Sequence, residues 1–247
     1  NGISTLPTPA QSNQQSGLVI PVIDERRKRR WDSLNQVLDI NNKAKRSQRE
    51  DGLSSVGYSC ISWGQVENIF PIVPATVGPE STLLPEPMLD ALLNYLGWAT
   101  LCFGIISEGG EAKRVHFITP IIIIVCASFH GDIQILAEED IQGNRVHAHG
   151  HFEFVLKRGD KRICIVEAKK DNLEQGKTQC LVGCESLCDV ENLDITYGIV
   201  TNYLSWVFLK NEANQITEEI QSVSFANNKP TKESLHVIAN KIISILS

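Results

Sequence analysis

The sequence predicts an α/β domain in which a mixed sheet is flanked by helices. Two observations lead to this fold class. From residue 86 onward, helical and strand-like segments follow in the order helix, three strands, helix, two strands, helix. In addition, Cys180, Cys184 and Cys188 recur every four residues, so they lie along one stripe of a helix. Such a stripe of small apolar side chains packs well on a sheet, although the same three thiols could instead hold a metal or form a redox set.

Composition places the chain among globular proteins. Its 247 residues are 42% hydrophobic and 21% charged. The longest apolar run, 121–127, is too short to cross a bilayer, so no membrane contact is expected. Seven cysteines without the spacing of a small disulfide scaffold favour a reduced, intracellular setting. The first residue is Asn rather than Met, so a targeting segment could have been removed.

Four regions are predicted along the chain. Residues 1–23 are predicted to form a disordered tail, because they carry no charge and 1–17 are rich in Ser, Gln, Pro and Gly. Residues 24–50 hold nine Lys and Arg against five acidic residues, with a helix predicted from Asp24 to about Asn42. The start of this helix, ERRKRR, could address a nucleus or contact phosphates, or it is a charged helix face. Residues 51–85 read as an irregular connection, and 86–247 as the folded domain.

Two helices are predicted at the start of the domain. The segment EPMLDALLNYLGWATLCFG carries Pro87 in its first turn, where proline is tolerated. The segment TPIIIIVCASF predicts a buried helix capped by Thr119, with Pro120 at its first position. A buried strand is the alternative for this second segment.

The remaining elements follow from alternation and turn chemistry. DIQILAEED predicts a strand, and two further strands at about 151–156 and 162–168 form a hairpin that turns at Gly159 and Asp160. A helix enters at Asp171 or Asn172 and carries the three cysteines. DITYGIVTN and SWVFLK predict two more strands, and TKESLHVIANKIISIL a closing helix.

The charge distribution singles out the hairpin. The net charge is −6, and residues 51–247 alone carry −10. Half of the bases in that range nevertheless fall within 157–177, which favours a local anionic ligand over a solvated turn. We expect a nucleic acid backbone to contact Lys157, Arg158, Lys161, Arg162 and Lys170.

The second strand of the hairpin ends on Glu167-Ala168-Lys169. A carboxylate and an ammonium two residues apart share one face of a strand, and burying both is costly unless something else shares the site. With the turn at 159–160, Glu153 lies about opposite Glu167, at a cross-strand distance of about 5 Å. Paired carboxylates beside a lysine suit hydrolysis of a phosphodiester with Mg²⁺ or Mn²⁺.

This pattern resembles the PD-(D/E)XK nuclease superfamily, in which an acid on one strand is followed by acid-x-Lys on the next. More narrowly, GHFEFVL, ICIVEAKKDNLEQGKTQ and YGIVTNYLSWVFL look like the nuclease-like domains of Crinkler effector-type proteins of fungi and oomycetes. The resemblance covers about 110–215 well and 86–247 loosely. It implies a restriction-endonuclease-like sheet and metal-dependent cleavage of nucleic acid, with DNA expected rather than RNA. It also implies an effector that could act in a nucleus or be secreted to a host.

The resemblance also implies roles for individual residues. Glu153 and Glu167 are expected to bind Mg²⁺ or Mn²⁺ together with the backbone carbonyl of Ala168, and Glu139 to serve as the auxiliary acid. Lys169 is expected to handle the attacking water, and Gln179 to steady the site from the helix. Two positions depart from the family pattern: Phe152 stands where proline is usual, and Glu153 where aspartate is usual.

Two other functional interpretations stay open at this point. His147, His149 and His151 alternate along one strand and, with Glu153, could form a hydrolytic zinc site. Alternatively, the domain could be a catalytically inactive nuclease fold that binds nucleic acid or a protein partner.

Overall fold

The computed structural model describes residues 23–40, 46–48, 54–75 and 83–247. Residues 1–22 of the predicted disordered tail, 1–23, lie outside the described residues. Six helices lie in the described part: α1 (Glu25–Ile40), α2 (Trp63–Val66), α3 (Glu86–Phe103), α4 (Glu111–Ala127), α5 (Leu173–Glu191) and α6 (Lys232–Leu246). A short 3₁₀ turn spans Tyr58–Cys60.

Eleven strands lie in the same described ranges. They are β1 (Arg46–Gln48), β2 (Ser54–Gly57), β3 (Ile72–Pro74), β4 (Ile133–Gln142), β5 (Ala148–Arg158), β6 (Lys161–Ala168), β7 (Ile195–Thr201), β8 (Ser205–Glu212), β9 (Ile216–Ser222), β10 (Phe225–Ala226) and β11 (Lys229–Pro230).

Nine of these strands form one mixed sheet, and eight of them follow the order β1-β2-β5-β6-β7-β8-β9-β3. β2 and β6 pair with different parts of β5, and the ninth strand, β4, pairs with β5 along most of its length on the opposite edge. β4, β5 and β6 are successive antiparallel strands, whereas β6 and β7 run parallel because α5 crosses over between them. The predicted mixed sheet with flanking helices is therefore confirmed.

The sheet separates two hydrophobic cores. One core holds the inner faces of α3, α4 and α6, including Leu96, Ile121 and Ile242. The other holds α1 and α5, including Leu34 and Leu187. Because every sheet face is covered by apolar helix surface, both faces of the central strands are buried.

The three cysteines of α5 belong to the second core. Cys180 and Cys184 are fully enclosed and Cys188 is nearly so, and all three are free thiols. Burial raises the pKa of Cys188 to about 12, so this thiol stays protonated at neutral pH. The packing role predicted for this stripe is confirmed.

Several predicted elements are confirmed by the helix ends. Pro87 lies in the first turn of α3. The side chain of Asn172 accepts a hydrogen bond from the Gln175 amide at the start of α5, and Thr231 caps α6 in the same way.

The predicted start of α4 is wrong. The helix begins after Gly110 rather than Thr119, and Pro120 lies inside it. Because the Thr119 hydroxyl donates 2.7 Å to the Val115 carbonyl, the polar side chain is satisfied inside the helix and needs no terminus. The segment is helical, so the alternative of a buried strand is excluded.

The interpretation of 51–85 as an irregular connection is also wrong in part. β2 pairs with β5 and β3 pairs with β9, so this region adds strands to the sheet. Each pairing spans only two or three residues, which is too short to leave an alternating pattern in the sequence. β9 was not predicted either, because ITEEIQS is a mostly polar strand near the sheet edge.

The basic start of α1 is partly internal. The carboxylate of Glu185 on α5 is enclosed and accepts hydrogen bonds from Arg27, Arg30 and the Trp31 indole at 3.3, 2.6 and 2.7 Å. Arg27 and Arg30 are 2% and 7% exposed. Two of the five bases in ERRKRR therefore hold α1 on the domain and are not free to contact phosphates.

Candidate functional site

Glu167, Ala168 and Lys169 lie at the carboxyl end of β6, beside the carboxyl end of the parallel strand β7. In sheets of this kind, the crevice outside the carboxyl ends of parallel strands is the usual place for a ligand. The Lys169 amide donates 2.9 Å to the carbonyl of Thr201, the last residue of β7, which extends the pairing one residue past the end of β6. The backbone around the acid-x-Lys triplet is therefore fixed by the sheet.

Glu167 is a buried carboxylate with a charged partner. It is 4% exposed, and its Oε1 lies 2.6 Å from Nζ of Lys169. Burial raises the pKa of Glu167 to about 7, against the opposing effect of Lys169, and the negative charges of Glu153 and Glu111 add to the rise. A carboxyl group held near neutral pKa among like charges has the electrostatics of a functional site.

Glu153 also has a raised pKa. Burial raises its pKa, and the charges of Glu138 and Glu111 raise it further, while Lys169 lowers it. Glu153, Glu167 and Lys169, which the sequence predicted to lie together, thus share one electrostatic environment. Glu111 and Glu138 are two acids of this environment that the sequence prediction did not assign to the site.

The position of Glu153 depends on a bulge in the hairpin. Near the turn Lys157 pairs with Arg162, but beyond an irregularity at Leu156 and Lys157 the register shifts to Phe154 with Val166. Continuing that register by one residue sets Glu153 opposite Glu167, as the sequence predicted. Without the bulge, Glu153 would instead face Val166.

Glu138 reaches the site through an irregular point in β4. Its neighbours Ala137 and Glu139 pair with Phe154 and Phe152, so Glu138 lies next to Glu153 across the strand pair. Its φ of +51° is a left-handed conformation that a non-glycine residue rarely adopts. Such strain is common where a side chain is redirected toward a functional site.

Glu111 comes from the first turn of α4. Its Oε2 accepts a hydrogen bond of 3.1 Å from the Lys170 amide, which ties the helix start to the end of β6. The signal for this residue was an acid after Gly109-Gly110, but the predicted helix began nine residues later, at Pro120, and so missed it.

Glu139, predicted as the auxiliary acid, forms an ion pair with Arg162. Its carboxylate accepts a hydrogen bond of 3.0 Å from Arg162, and Arg162 also pairs with Glu191. Because successive strand residues point to opposite faces, Glu138 rather than Glu139 acts on Glu153. Glu138 is therefore the acid that acts electrostatically on Glu153, and the auxiliary role of Glu139 stays a prediction.

Gln179 lines a neighbouring cavity. This cavity of about 330 Å³ is bordered by Tyr58, His149, Gly150, His151 and Gln179. Gln175, one turn earlier on α5, donates 2.9 Å to the Ile61 carbonyl. The two glutamines therefore face the 3₁₀ turn and the start of β5, and the steadying role predicted for Gln179 stays a prediction.

The three histidines do not form a zinc site. Nδ1 of His147 lies 3.1 Å from Asp39, Nδ1 of His149 lies 2.8 Å from the Ser55 hydroxyl, and Nδ1 of His151 lies 3.5 Å from Asp140. Each ring thus has its own partner. Within the described ranges, no three His, Cys, Asp or Glu side chains converge closely enough to hold a metal ion. The zinc alternative is wrong.

The hairpin bases are largely engaged within the protein. Arg158 donates 2.8 Å to the Ser247 carbonyl and its guanidinium lies over the Phe129 ring. Lys161 donates to the Glu191 carbonyl, and Arg162 is paired as described. Six residues of strand separate Lys161 from Glu167, a distance of about 20 Å. The hairpin tip and the acid cluster are therefore two separate places, and Lys170 alone of the five predicted bases lies beside the cluster.

The donor set fits a divalent cation held by two protein carboxylates. Glu153 and Glu167 both have raised pKa values, to which the negative charges of Glu111 and Glu138 contribute. The Lys169 ammonium lowers the pKa of Glu153 and that of Glu167. A hard cation such as Mg²⁺ relieves such repulsion, and it commonly needs only one or two protein carboxylates because water and phosphate supply the other ligands.

Comparison with known proteins finds a relative by sequence. The chain is 40% identical over 221 residues to "Crinkler effector protein 5" of Phytophthora infestans, and the alignment covers 90% of this chain and 62% of the relative. The chain thus spans less than two thirds of that protein's length. No family model matches the chain, and no solved structure matches it.

Within the described ranges, no helix is both long and apolar enough to span a membrane. The 40% identity supports the Crinkler-like relationship that the sequence motifs predicted. Membership of the PD-(D/E)XK superfamily stays a prediction.

Proposed function

We propose that this relative of a Crinkler effector is the nuclease-like part of an effector protein and hydrolyses phosphodiester bonds in nucleic acid. The observation that carries the proposal is the buried Glu167, whose pKa is raised to about 7 and whose carboxylate lies 2.6 Å from Lys169 at the carboxyl end of β6. DNA is the proposed substrate class, with Mg²⁺ or Mn²⁺ as cofactor.

Glu153, Glu167 and the Ala168 carbonyl would hold the cation. When bound, it would polarise the phosphate and lower the pKa of an attacking water. Glu111 and Glu138 keep the surrounding potential negative, which favours the cation and the ionised forms once it is present.

Lys169 has the chemistry to place the water and to stabilise the charge that develops on the phosphate. Its ammonium is held by Glu167, and its stem lies against α5 at Gly176, where an added Cβ would approach Lys169 Cγ to 2.9 Å. A donor held in advance in a partly enclosed site contributes more to transition-state stabilisation than a mobile one.

The proposal is tested by cleavage assays on double- and single-stranded DNA and on RNA, with Mg²⁺, Mn²⁺ or EDTA. Lys169→Ala should lower the rate on the order of 10²- to 10³-fold, the range for loss of one hydrogen-bond donor to the developing charge. The matched control is Lys210→Ala, because Lys210 and Glu212 form another lysine–glutamate pair two residues apart, 3.0 Å from each other on β8. Equal rates for wild type and Lys169→Ala would refute the assignment.

A second candidate is a catalytically inactive module that binds nucleic acid or a protein partner. The absence of three converging ligands among the described residues favours it. It predicts salt-sensitive nucleic acid binding without cleavage, and binding that Lys169→Ala and EDTA leave unchanged. The cleavage assay and a parallel binding assay therefore separate the two candidates.

A further inference from the structure

The cavity beside Gln179 lies where β2 ends and β5 begins. Gly57, the last residue of β2, pairs in parallel with His149 on β5, and the 3₁₀ turn that follows β2 contributes Tyr58 and Ser59 to the cavity wall. Its volume of about 330 Å³ is that of a site for a small ligand. We call this cavity the Gln179 pocket; it is bordered by Gly57, Tyr58, Ser59, His149, Gly150, His151 and Gln179.

The walls of the Gln179 pocket are held in place by contacts of their own. The Tyr58 hydroxyl donates 3.0 Å to the Ile141 carbonyl. A Cβ added at Gly150 would come within 2.9 Å of the Tyr58 ring, so the close approach of β5 to this ring requires glycine. Nδ1 of His149 lies 2.8 Å from the Ser55 hydroxyl. The pocket is therefore formed in advance and is not filled by its own aromatic rings.

Gln179 is a buried polar side chain without a partner. It is 7% exposed, yet its amide makes no hydrogen bond to any residue that the structure describes. Gln175, one turn earlier on the same helix, does donate a hydrogen bond of 2.9 Å, to the Ile61 carbonyl. Leaving a buried amide unsatisfied is unfavourable, and most buried polar groups in proteins are satisfied. A ligand in the Gln179 pocket would supply the missing partner.

The lining favours a neutral, planar ligand over an anion. None of the described residues that border the pocket is Asp, Glu, Lys or Arg, so a phosphate group would find no cationic side chain there. A carboxamide carries a donor and an acceptor side by side, and that of glutamine matches the N6 amino group and N7 of adenine. His149 and His151 carry rings of the kind on which unstacked bases stack.

The Gln179 pocket adjoins the acid cluster. His151 and Glu153 are two residues apart on β5, so their Cα atoms are at most about 7 Å apart. On α5, Gly176 lies three residues before Gln179, and a Cβ added at Gly176 would lie 2.9 Å from Lys169 Cγ. A nucleic acid strand with a phosphate at the acid cluster therefore has a neighbouring base within reach of the pocket.

We propose that the Gln179 pocket binds an unpaired adenine base next to the phosphate at the acid cluster, with the Gln179 amide bonded to N6 and N7 of the base. A base inside a duplex cannot enter a pocket, so the nucleotide belongs to a single strand or is extruded from a duplex. The inference rests on the proposed nucleic acid substrate, but it requires binding only and not cleavage.

The test is fluorescence anisotropy of the full chain with labelled single strands, with Ca²⁺ in place of Mg²⁺ so that binding is measured without cleavage. The strands are oligo(dA), oligo(dT) and oligo(7-deaza-dA), each about ten nucleotides long, within the range of single-strand binding sites. The wild type should bind oligo(dA) about tenfold more tightly than oligo(dT), the discrimination expected of one bidentate contact. Oligo(7-deaza-dA), which keeps the stacking surface but lacks N7, should lose most of this advantage.

Gln179→Leu keeps the size of the side chain but removes its donor and acceptor, so this variant should bind all three strands alike. The matched control is Gln175→Leu on the same helix, which should keep the preference for oligo(dA). Urea denaturation without nucleic acid is the second readout. Gln179→Leu should be at least as stable as the wild type, because it removes a buried amide that has no partner. Gln175→Leu should be less stable, because it loses the hydrogen bond to Ile61.

Three results would overturn the proposal. Equal affinity of the wild type for the three strands would remove the adenine site and leave the proposed cleavage untouched, whereas failure to bind any strand would remove both. A preference for oligo(dA) that persists in Gln179→Leu would place the selectivity elsewhere. A loss of stability in Gln179→Leu as large as that in Gln175→Leu would show that the protein itself holds the amide. An adenine preference that depends on Gln179, in a chain that cleaves nothing, would support the pocket and refute the nuclease.

Discussion

Glu167 is a carboxyl group that binds its proton unusually tightly. Burial raises its pKa from the ordinary 4.5 to about 7. Because the folded state then holds a proton that the unfolded chain releases above pH 4.5, the free energy of unfolding is highest below that pH and falls as the pH rises toward 7. Each pKa unit corresponds to 1.36 kcal/mol, so the loss amounts to about 3 kcal/mol.

We expect Glu167→Gln to remove most of this loss, since glutamine stays neutral and still accepts a hydrogen bond from Lys169. Urea denaturation at pH 5.5 and pH 8 without divalent ions measures the effect. The difference in unfolding free energy between variant and wild type should grow in favour of the variant at pH 8. A difference that is the same at both pH values would show that Glu167 titrates normally.

Cation binding should compete with the same proton. We expect Mg²⁺ or Mn²⁺ to bind wild-type protein more tightly at pH 8 than at pH 6, with release of protons, because a carboxylate must be ionised to act as a ligand. Calorimetric titration in buffers of different ionisation enthalpy measures both quantities. Glu167→Ala should abolish binding, whereas Glu139→Ala should leave it intact, because Glu139 is paired with Arg162. Identical titrations for wild type and Glu167→Ala would remove the cation from the proposal.

At the scale of elements, the contact between α5 and β6 sets the position of Lys169. A Cβ added at Gly176 would lie 2.7 Å from Val200 Cγ1 and 2.9 Å from Lys169 Cγ. We expect Gly176→Ala to displace the Lys169 stem, lower activity at least about tenfold, and destabilise the domain by about 1–3 kcal/mol.

Gly97→Ala is the matched control for Gly176→Ala. Gly97 is also a helical glycine, but an added Cβ there meets nothing within 4 Å. The control should be as active as wild type and more stable by up to about 1 kcal/mol, from the difference in helix propensity. A gain of stability in both variants would mean that the α5–β6 contact is looser than its distances indicate.

The contact between α1 and α5 is an ion cluster rather than an apolar seam. The Glu185 carboxylate accepts hydrogen bonds from Arg27, Arg30 and Trp31. Truncating Glu185 leaves two buried guanidinium groups without their carboxylate. We expect Glu185→Ala to lower the free energy of unfolding by about 3–5 kcal/mol. The control Glu25→Ala, at a carboxylate that is 73% exposed and paired with Lys28, should change it by less than about 0.5 kcal/mol. Urea denaturation of the three proteins measures both values, and equal stabilities would show that α1 is dispensable.

The elements that could be predicted from the sequence are those whose own residues carry the signal. α3, α5 and α6 have apolar residues at helical spacing and a proline or capping side chain at the start, and β5 and β6 alternate around a glycine turn. β2 and β3 are too short to carry a pattern, and α4 was predicted to begin at Thr119 because a hydroxyl before a proline resembles a cap. A pattern of only a few residues does not distinguish a short strand from a loop, or a helix start from a Thr-Pro pair inside a helix.

The site was predictable to the extent that it lies on one hairpin. Glu153, Glu167 and Lys169 are related by strand geometry alone. Glu111 and Glu138 are not, because the first depends on how α4 packs against the end of β6 and the second on a left-handed residue in β4. Sequence spacing contains neither the packing nor the backbone irregularity that brings these acids to Glu153.

At the scale of the whole molecule, charge separates two places along the hairpin. The body is acidic, and the bases at the tip lie about 20 Å from Glu167, a distance equal to about six base pairs. We propose that a duplex bound at the acid cluster extends to the tip. Lys157→Gln/Lys161→Gln should then lower the slope of log affinity against log salt by about 1.5.

Fluorescence anisotropy over a range of salt concentrations, with Ca²⁺ in place of Mg²⁺, measures that slope. The affinity should fall alike for unrelated sequences, because contacts to phosphates carry no base information. Lys210→Gln/Lys232→Gln, which removes two bases from other parts of the surface, is the control. A slope that is unchanged in the hairpin variant would mean that the tip is a solvated turn held by its internal contacts.

The cluster around Glu185 also constrains the order in which the molecule is made. Arg30 and its carboxylate are 155 residues apart in the chain. A ribosome adds about 5–20 residues per second, so the N-terminal helix waits roughly 10 to 30 seconds for its partner to be synthesised. During that time Arg27, Arg30 and Trp31 lack their hydrogen bonds to the Glu185 carboxylate. The packing of α1 against α5 is therefore completed late in biosynthesis, because it requires Glu185 to have been synthesised.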